Sequence, residues 1–119
     1  EVVAELLGRD GIDLEARGPG GGTALHAAAQ EGHLTVVEQL LNHGAEIDAG
    51  TDAGSTPLVI ALYRKHEAII RLLLGCGADG RKKTIDGISA LTIARVQENE
   101  DLERLILDAE VTRRRARHD

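Results

Sequence analysis

Five histidines, one cysteine, two glycine-rich stretches and a terminal run of arginines are the residues through which this 119-residue chain could do chemistry. Gly75-Cys76-Gly77-Ala78-Asp79-Gly80 matches the G-x-G-x-x-G pattern of dinucleotide-binding turns, with Arg81, Lys82, Lys83 and Thr84 directly behind it. Such a turn cradles a pyrophosphate when it follows a strand and opens a helix, so that backbone N–H groups and the helix N-terminus face the anion. Here it follows an apolar helical run, Ile69 to Leu74, and leads into a loop, which argues against that use. Gly18-Pro19-Gly20-Gly21-Gly22 lacks the Gly-Lys-Ser/Thr that completes a P-loop and reads as a flexible turn.

The histidines, at 26, 33, 43, 66 and 118, come without a cysteine pair or a second ligand set. Metal coordination is therefore not expected, and His26 is expected to bond a neighbouring backbone or hydroxyl group between helices. Cys76 has Arg71 about one turn back, but no neighbour in sequence offers the base and orienting group that a nucleophile needs, so no catalytic site and no cofactor are expected. A single cysteine forms no internal disulfide and leans towards an intracellular setting, cytoplasm or nucleus. Arg113-Arg114-Arg115-Ala116-Arg117 could be a localisation signal or an RNA contact. The favoured reading is that these arginines follow the last helix, complement its dipole and fray into solvent.

Composition narrows the choice further. The chain is 42% hydrophobic and 29% charged, with one Tyr and no Phe, Trp or Met. Aromatic cages, base-stacking platforms for single strands and sandwiches built on a buried Trp all need side chains that are missing. An aliphatic core favours small, tightly packed helices. No apolar run approaches the roughly 18 residues that a membrane span requires, the longest being Pro57 to Leu62. Residues 1–110 hold ten Lys and Arg against nineteen Asp and Glu, so the folded part should repel phosphate backbones and nucleic acid is not an expected partner. The chain starts at Glu1 without Met or a signal pattern and reads as a piece of a longer polypeptide.

What must position these residues is a repeat. Gly21-Gly22-Thr23-Ala24-Leu25-His26 recurs 33 residues on as Gly54-Ser55-Thr56-Pro57-Leu58-Val59, and again as Gly87-Ile88-Ser89-Ala90-Leu91-Thr92. Other columns keep the step: His33 and His66, Val36-Val37 and Ile69-Ile70, Leu40-Leu41 and Leu73-Leu74, Gly44-Ala45-Glu46 and Gly77-Ala78-Asp79. In each unit a hydroxyl N-cap (Thr23, Thr56, Ser89) opens a short helix with small residues such as Ala28, Ala61 and Ala94. Gly32 offers a left-handed stop, and a second helix starts near Leu34 and ends at Gly44. A turn-bearing extended loop, 45–53, leads to the next unit. Two short helices cannot bury an apolar stripe alone, so the units must stack.

Thr23-Ala24-Leu25-His26-Ala27-Ala28-Ala29, Glu31-Gly32-His33-Leu34-Thr35-Val36-Val37 and Leu40-Leu41-Asn42-His43-Gly44-Ala45-Glu46-Ile47-Asp48 resemble the T-P-L-H-x-A-A, G-H-x-x-V-V and L-L-x-x-G-A-D-V-N steps of ankyrin repeats. The resemblance covers roughly residues 2–109. It implies an all-α solenoid of helix-turn-helix units joined by short β-hairpin-like finger loops. The second half of a truncated repeat would occupy 1–20, with a helix over Val2 to Leu7. Full repeats would follow at 21–53 and 54–86, then a degenerate capping repeat at 87–110 and a basic tail at 111–119. Lys65 replaces the stop glycine of its unit, Glu98-Asn99 replaces Gly32-His33, and Glu110 stands in the column of Gly44 and Gly77. Gln97, Glu98, Glu100, Asp101, Glu103 and Arg104 would give the last repeat its polar outer face.

The function this resemblance implies is non-catalytic protein recognition by a monomeric module within a longer chain, docking a protein or peptide segment in a concave groove. Contact residues carried over by column are Arg17, Pro19, Gly22, Gln30 and Glu31; then Gly50, Asp52, Ser55, Tyr63 and Arg64; then Lys83, Ile85, Ile88, Val96 and Gln97. Tyr63, the one aromatic, and Arg64 are the residue types that most often carry interface energy. The alternatives are a structural spacer, or the substrate-recruiting arm of a larger enzyme, channel or effector.

Overall fold

The computed structural model describes residues 13–118, with side chains described as far as Thr112. Among them are six α-helices and no strand: α1 (Ala24–Glu31), α2 (Leu34–Asn42), α3 (Pro57–Arg64), α4 (Glu67–Gly75), α5 (Ala90–Val96) and α6 (Glu100–His118). The helix expected over 2–7 lies outside the described residues. First helices α1, α3 and α5 pack in one layer, and second helices α2, α4 and α6 in another.

Local chemistry sets the boundaries. Thr56 Oγ1 accepts from the Val59 N–H at 3.2 Å and Ser89 Oγ from the Thr92 N–H at 3.3 Å, each meeting an orphan donor of the first turn. Pro57 takes the first helical position, where a missing N–H costs nothing. Thr23 forms a reciprocal capping arrangement with His26. The first helices stop on left-handed residues: Gly32 at φ 78°, Lys65 at φ 60° and Glu98 at φ 55°. The second helices α2 and α4 give way to Gly44 and Gly77 at φ 92° and 96°. Glu110 replaces glycine in that column, nothing there stops α6, and it runs on to His118. Arg113 to Arg117 thus lie within the last turns of a helix, where a frayed tail after the helix was expected.

Between repeats the chain makes three fingers of one geometry. Gly18 N–H donates to Gly22 O at 2.9 Å, Thr51 to Ser55 at 3.0 Å and Thr84 to Ile88 at 2.8 Å, each closing a turn around a glycine near φ 80°. Successive fingers touch through one backbone bond each, Asp52 N–H to Gly20 O at 3.0 Å and Ile85 N–H to Ala53 O at 2.9 Å. The loops behind them are laced in the same register. Glu15 Oε1 accepts from the Glu46 N–H and Asp48 Oδ1 from the Asp79 N–H, while Arg81, next in that column, pairs with Glu110 on α6.

Columns also build the core. Leu25, Leu58 and Leu91 are buried at one level, Ala28, Ala61 and Ala94 beside them, and Leu40, Leu73 and Ile106 between second helices. The alanines let adjacent first helices approach closely, which leaves no gap wide enough to need an aromatic ring. Columns that face the following repeat change character at the end. Ala29 and Leu62 are buried, but Arg95 is exposed; Val37 and Ile70 are buried, but Glu103 is half-exposed. Arg95 and Glu103 pair at 2.9 Å across that outer face, and exposed Thr92 continues the column of buried His26 and Val59.

Lys65 holds a left-handed conformation that costs a side-chain-bearing residue roughly 1–2 kcal/mol. Its backbone N–H is already satisfied within the chain and its side chain is exposed. Lys65→Gly is expected to raise unfolding stability by about 1 kcal/mol, read as a higher urea midpoint with an unchanged slope.

Candidate functional site: the first-helix face and its fingers

The last turn of each first helix presents two positions at the 33-residue step. Gln30, Tyr63 and Val96 form one column; Glu31, Arg64 and Gln97 form the next. Tyr63 is 56% exposed and Val96 77% exposed, so two apolar side chains stand in water on neighbouring helices. Gln30, Ile60, Tyr63 and Arg64 line a shallow depression of about 420 Å³. On the fingers, Asp52 and Lys83 are exposed and Ile85 is 76% exposed at the tip of the third.

Not all expected contact residues are equally available. Arg17 Nη1 donates to Gly21 O at 2.7 Å and to Gly50 O at 2.6 Å, stapling the first finger to the loop of the second. Gln97 Nε2 donates to Leu62 O at 3.2 Å, closing the C-terminal end of α3. Ser55 is held by Thr51, and Ile88 is half-buried against the core. Gln30, Glu31, Asp52, Tyr63, Arg64, Lys83, Ile85 and Val96 are exposed, and the turn residues Pro19, Gly22 and Gly50 shape the finger bases. Ile60, one turn before Tyr63 on α3, belongs to the same depression and was not in the expected set. Its signal was the helical step of three from Tyr63.

His26 is what holds fingers and helices together. Its ring is 3% exposed. Nδ1 accepts the Thr23 N–H at 2.9 Å, and Nε2–H donates to Ala49 O at 2.7 Å and to Ser55 O at 3.0 Å. Two carbonyl acceptors on one side and an amide donor on the other fix the neutral ring with its proton on Nε2. Burial pushes the His26 pKa below its ordinary 6.5; the two carbonyl bonds oppose that shift and the Arg17 charge reinforces it. The expectation of backbone bonding between helices is met. His66 plays a smaller version of the part, donating from Nε2 to Gln30 O at 3.0 Å while its ring lies over Gly32.

No group of three or more His, Cys, Asp or Glu among the described residues is placed to hold a metal ion. Cys76 is exposed beside Arg71, Leu105 and Asp108, in a surface depression whose lining contains no histidine. The 75–80 glycine pattern begins at the last residue of α4 and runs into a loop, and the Leu91 N–H at the start of α5 is already spent on Gly80 O at 3.1 Å. No described helix is long and apolar enough to cross a membrane.

Helix pairs, fingers and caps recurring every 33 residues already describe a repeat array, and a family model for ankyrin repeats, in three copies, matches residues 1–84. The chain belongs to the ankyrin-repeat family. No curated protein matches it at a significant level. The family match stops at the third finger, and beyond it the sequence loses Gly-His at Glu98-Asn99, yet α5 packs on α3 and α6 on α4 as in the earlier units. Ankyrin repeats are generally protein-interaction modules, and ankyrin-repeat domains are generally non-catalytic.

The His26 network has a pH signature. Because the folded pKa lies below 6.5, its contribution is complete above pH 6.5 and is lost as pH falls further, since the unfolded chain takes up a proton that the folded ring resists. His26→Ala should cost about 1–3 kcal/mol at pH 7.5, by stranding the Ala49 and Ser55 carbonyls. It should also flatten the pH dependence of the urea midpoint between pH 7.5 and 5.5.

Proposed function

We propose that this domain is a non-catalytic docking module that holds a segment of a protein partner along the first-helix face, bounded by the fingers. Tyr63 is its apolar anchor, Arg64 pairs an acidic group of the partner, and Asp52, Lys83 and Ile85 read the rim. One observation carries the reading. Four large apolar side chains stand exposed among the described residues, and three of them, Tyr63, Ile85 and Val96, lie at positions that the repeat columns select as contacts. Exposed apolar groups gathered on one surface are what a protein interface uses and what a spacer has no need of.

The electrostatics fit. Arg71, Arg81 and Arg95 are neutralised by Glu67, Glu110 and Glu103, whereas Arg64 has no charged or hydrogen-bonding partner among the described residues. Tyr and Arg are both residue types enriched at interface hot spots, and here they are adjacent. Few anchors on a modest area give an affinity of order micromolar. An intracellular, monomeric module is the setting that the single free thiol and the acidic body favour.

The Tyr63→Ala/Arg64→Glu double variant tests the reading. Both side chains are exposed, so far-UV circular dichroism and the urea midpoint should match the parent. Affinity for a partner identified with the parent domain should fall tenfold or more by calorimetry. Unchanged affinity with an intact helical spectrum would sink the proposal.

A further inference from the structure

The three fingers share one way of meeting a neighbour, and the described residues offer the third no further finger to meet. From first to second, Gly20 O accepts the Asp52 N–H, Arg17 reaches Gly50 O, and Gly21 lacks a Cβ that would fall 2.8 Å from Asp52 N. From second to third, Ala53 O accepts the Ile85 N–H, and a Cβ on Gly54 would fall 3.1 Å from Thr84 Cα. On the third finger the same columns hold Asp86 O, Lys83 and Gly87. No described residue donates to Asp86 O, the Lys83 ammonium has no described partner, and a Cβ on Gly87 would meet nothing within 4 Å. Ile85 stands 76% exposed beside them.

The helical layer of the same repeat is finished differently. Thr92 and the Arg95–Glu103 ion pair make its outer face polar, so another pair of helices stacking there would have to desolvate that pair. Among the described residues, the C-terminal side of the array is thus polar on its helices and unmatched on its finger.

We propose that the outer edge of the third finger, residues 83–88, docks an extended segment of another protein that donates a backbone N–H to Asp86 O and sets an aliphatic residue on Ile85 and a carboxylate on Lys83. The geometry continues an interface the chain already makes twice, and the free ammonium favours an acidic side chain. A second copy of this chain is a poor occupant. Its leading finger would bring Pro19 into the column of the donors Asp52 and Ile85, and proline has no N–H. The site shares Lys83 and Ile85 with the docking face proposed above but not Tyr63 or Arg64, so the two readings fail separately.

The test is a display library of random octapeptides, selected on the parent domain and counter-selected on Lys83→Glu/Ile85→Ser, with Lys83→Glu alone as a second variant should the double one lose its helical spectrum. Expected are peptides that pair an aliphatic with an acidic residue. Their synthetic forms should bind the Lys83 variants at least tenfold more weakly and Tyr63→Ala/Arg64→Glu equally well, and should lose at least tenfold on N-methylation of one particular backbone amide. The proposal is overturned by a lack of parent-specific enrichment, by tolerance of N-methylation at every amide, or by binding that depends on Tyr63 and Arg64 and not on Lys83. Concentration-dependent dimerisation abolished by Lys83→Glu would make a second copy the occupant and overturn it equally.

Discussion

A helix of eight or nine residues does not stand alone in water, and every helix here before α6 is that short or shorter. Each exists because a neighbour one repeat away covers its apolar stripe. Stacking is therefore the constraint on which the other features depend, and it works only if every layer advances by one common step. The core columns of Leu and Ala, the single backbone bond between successive fingers and the loop lacing from Glu15 and Asp48 all keep the 33-residue register.

His26 shows how the register is enforced. One neutral ring ties the start of its own helix, through Thr23, to the loop and finger of the next repeat, through Ala49 and Ser55. Where Val59 and Thr92 replace it, Thr56 and Ser89 keep the caps but that column makes no bridging bond among the described residues; α3 and α5 share the aliphatic core and are tied by Gln97 Nε2 to Leu62 O. At the last repeat the array carries an ion pair on its helices and, among the described residues, an unmatched finger.

The thin aliphatic core also bears on where apolar groups are exposed. Thin layers filled by Leu, Ile, Val and Ala need no Phe or Trp, and Tyr63 lies outside the core. Ile60 shares its depression, Val96 is exposed in the same column of the next repeat, and Arg64 is free of any described anion. Cys76 and the 75–80 glycines, which suggested chemistry when read as letters, are the end of α4 and the loop beyond it.

The sequence by itself determined the period, the helix pairs, their hydroxyl caps and the left-handed stop at Gly32, because each depends on contacts within a few residues and repeats in register; that Lys65 keeps the left-handed shape without glycine was shown by the structure. It also marked Tyr63, since one aromatic in an aliphatic chain is visible without coordinates. The reach of α6 was not legible: the missing glycine at Glu110 shows where a stop is lost, but how far the helix continues depends on the whole segment. Nor was the division of the contact set. Arg17 and Gln97 look like Arg64 and Gln30 as residue types, but each is tied to a backbone carbonyl of the adjoining repeat, Gly50 O and Leu62 O, and that proximity exists only once the layers stack. Which residues serve the scaffold and which are left to a partner is thus a tertiary decision, set by what each repeat finds on the next.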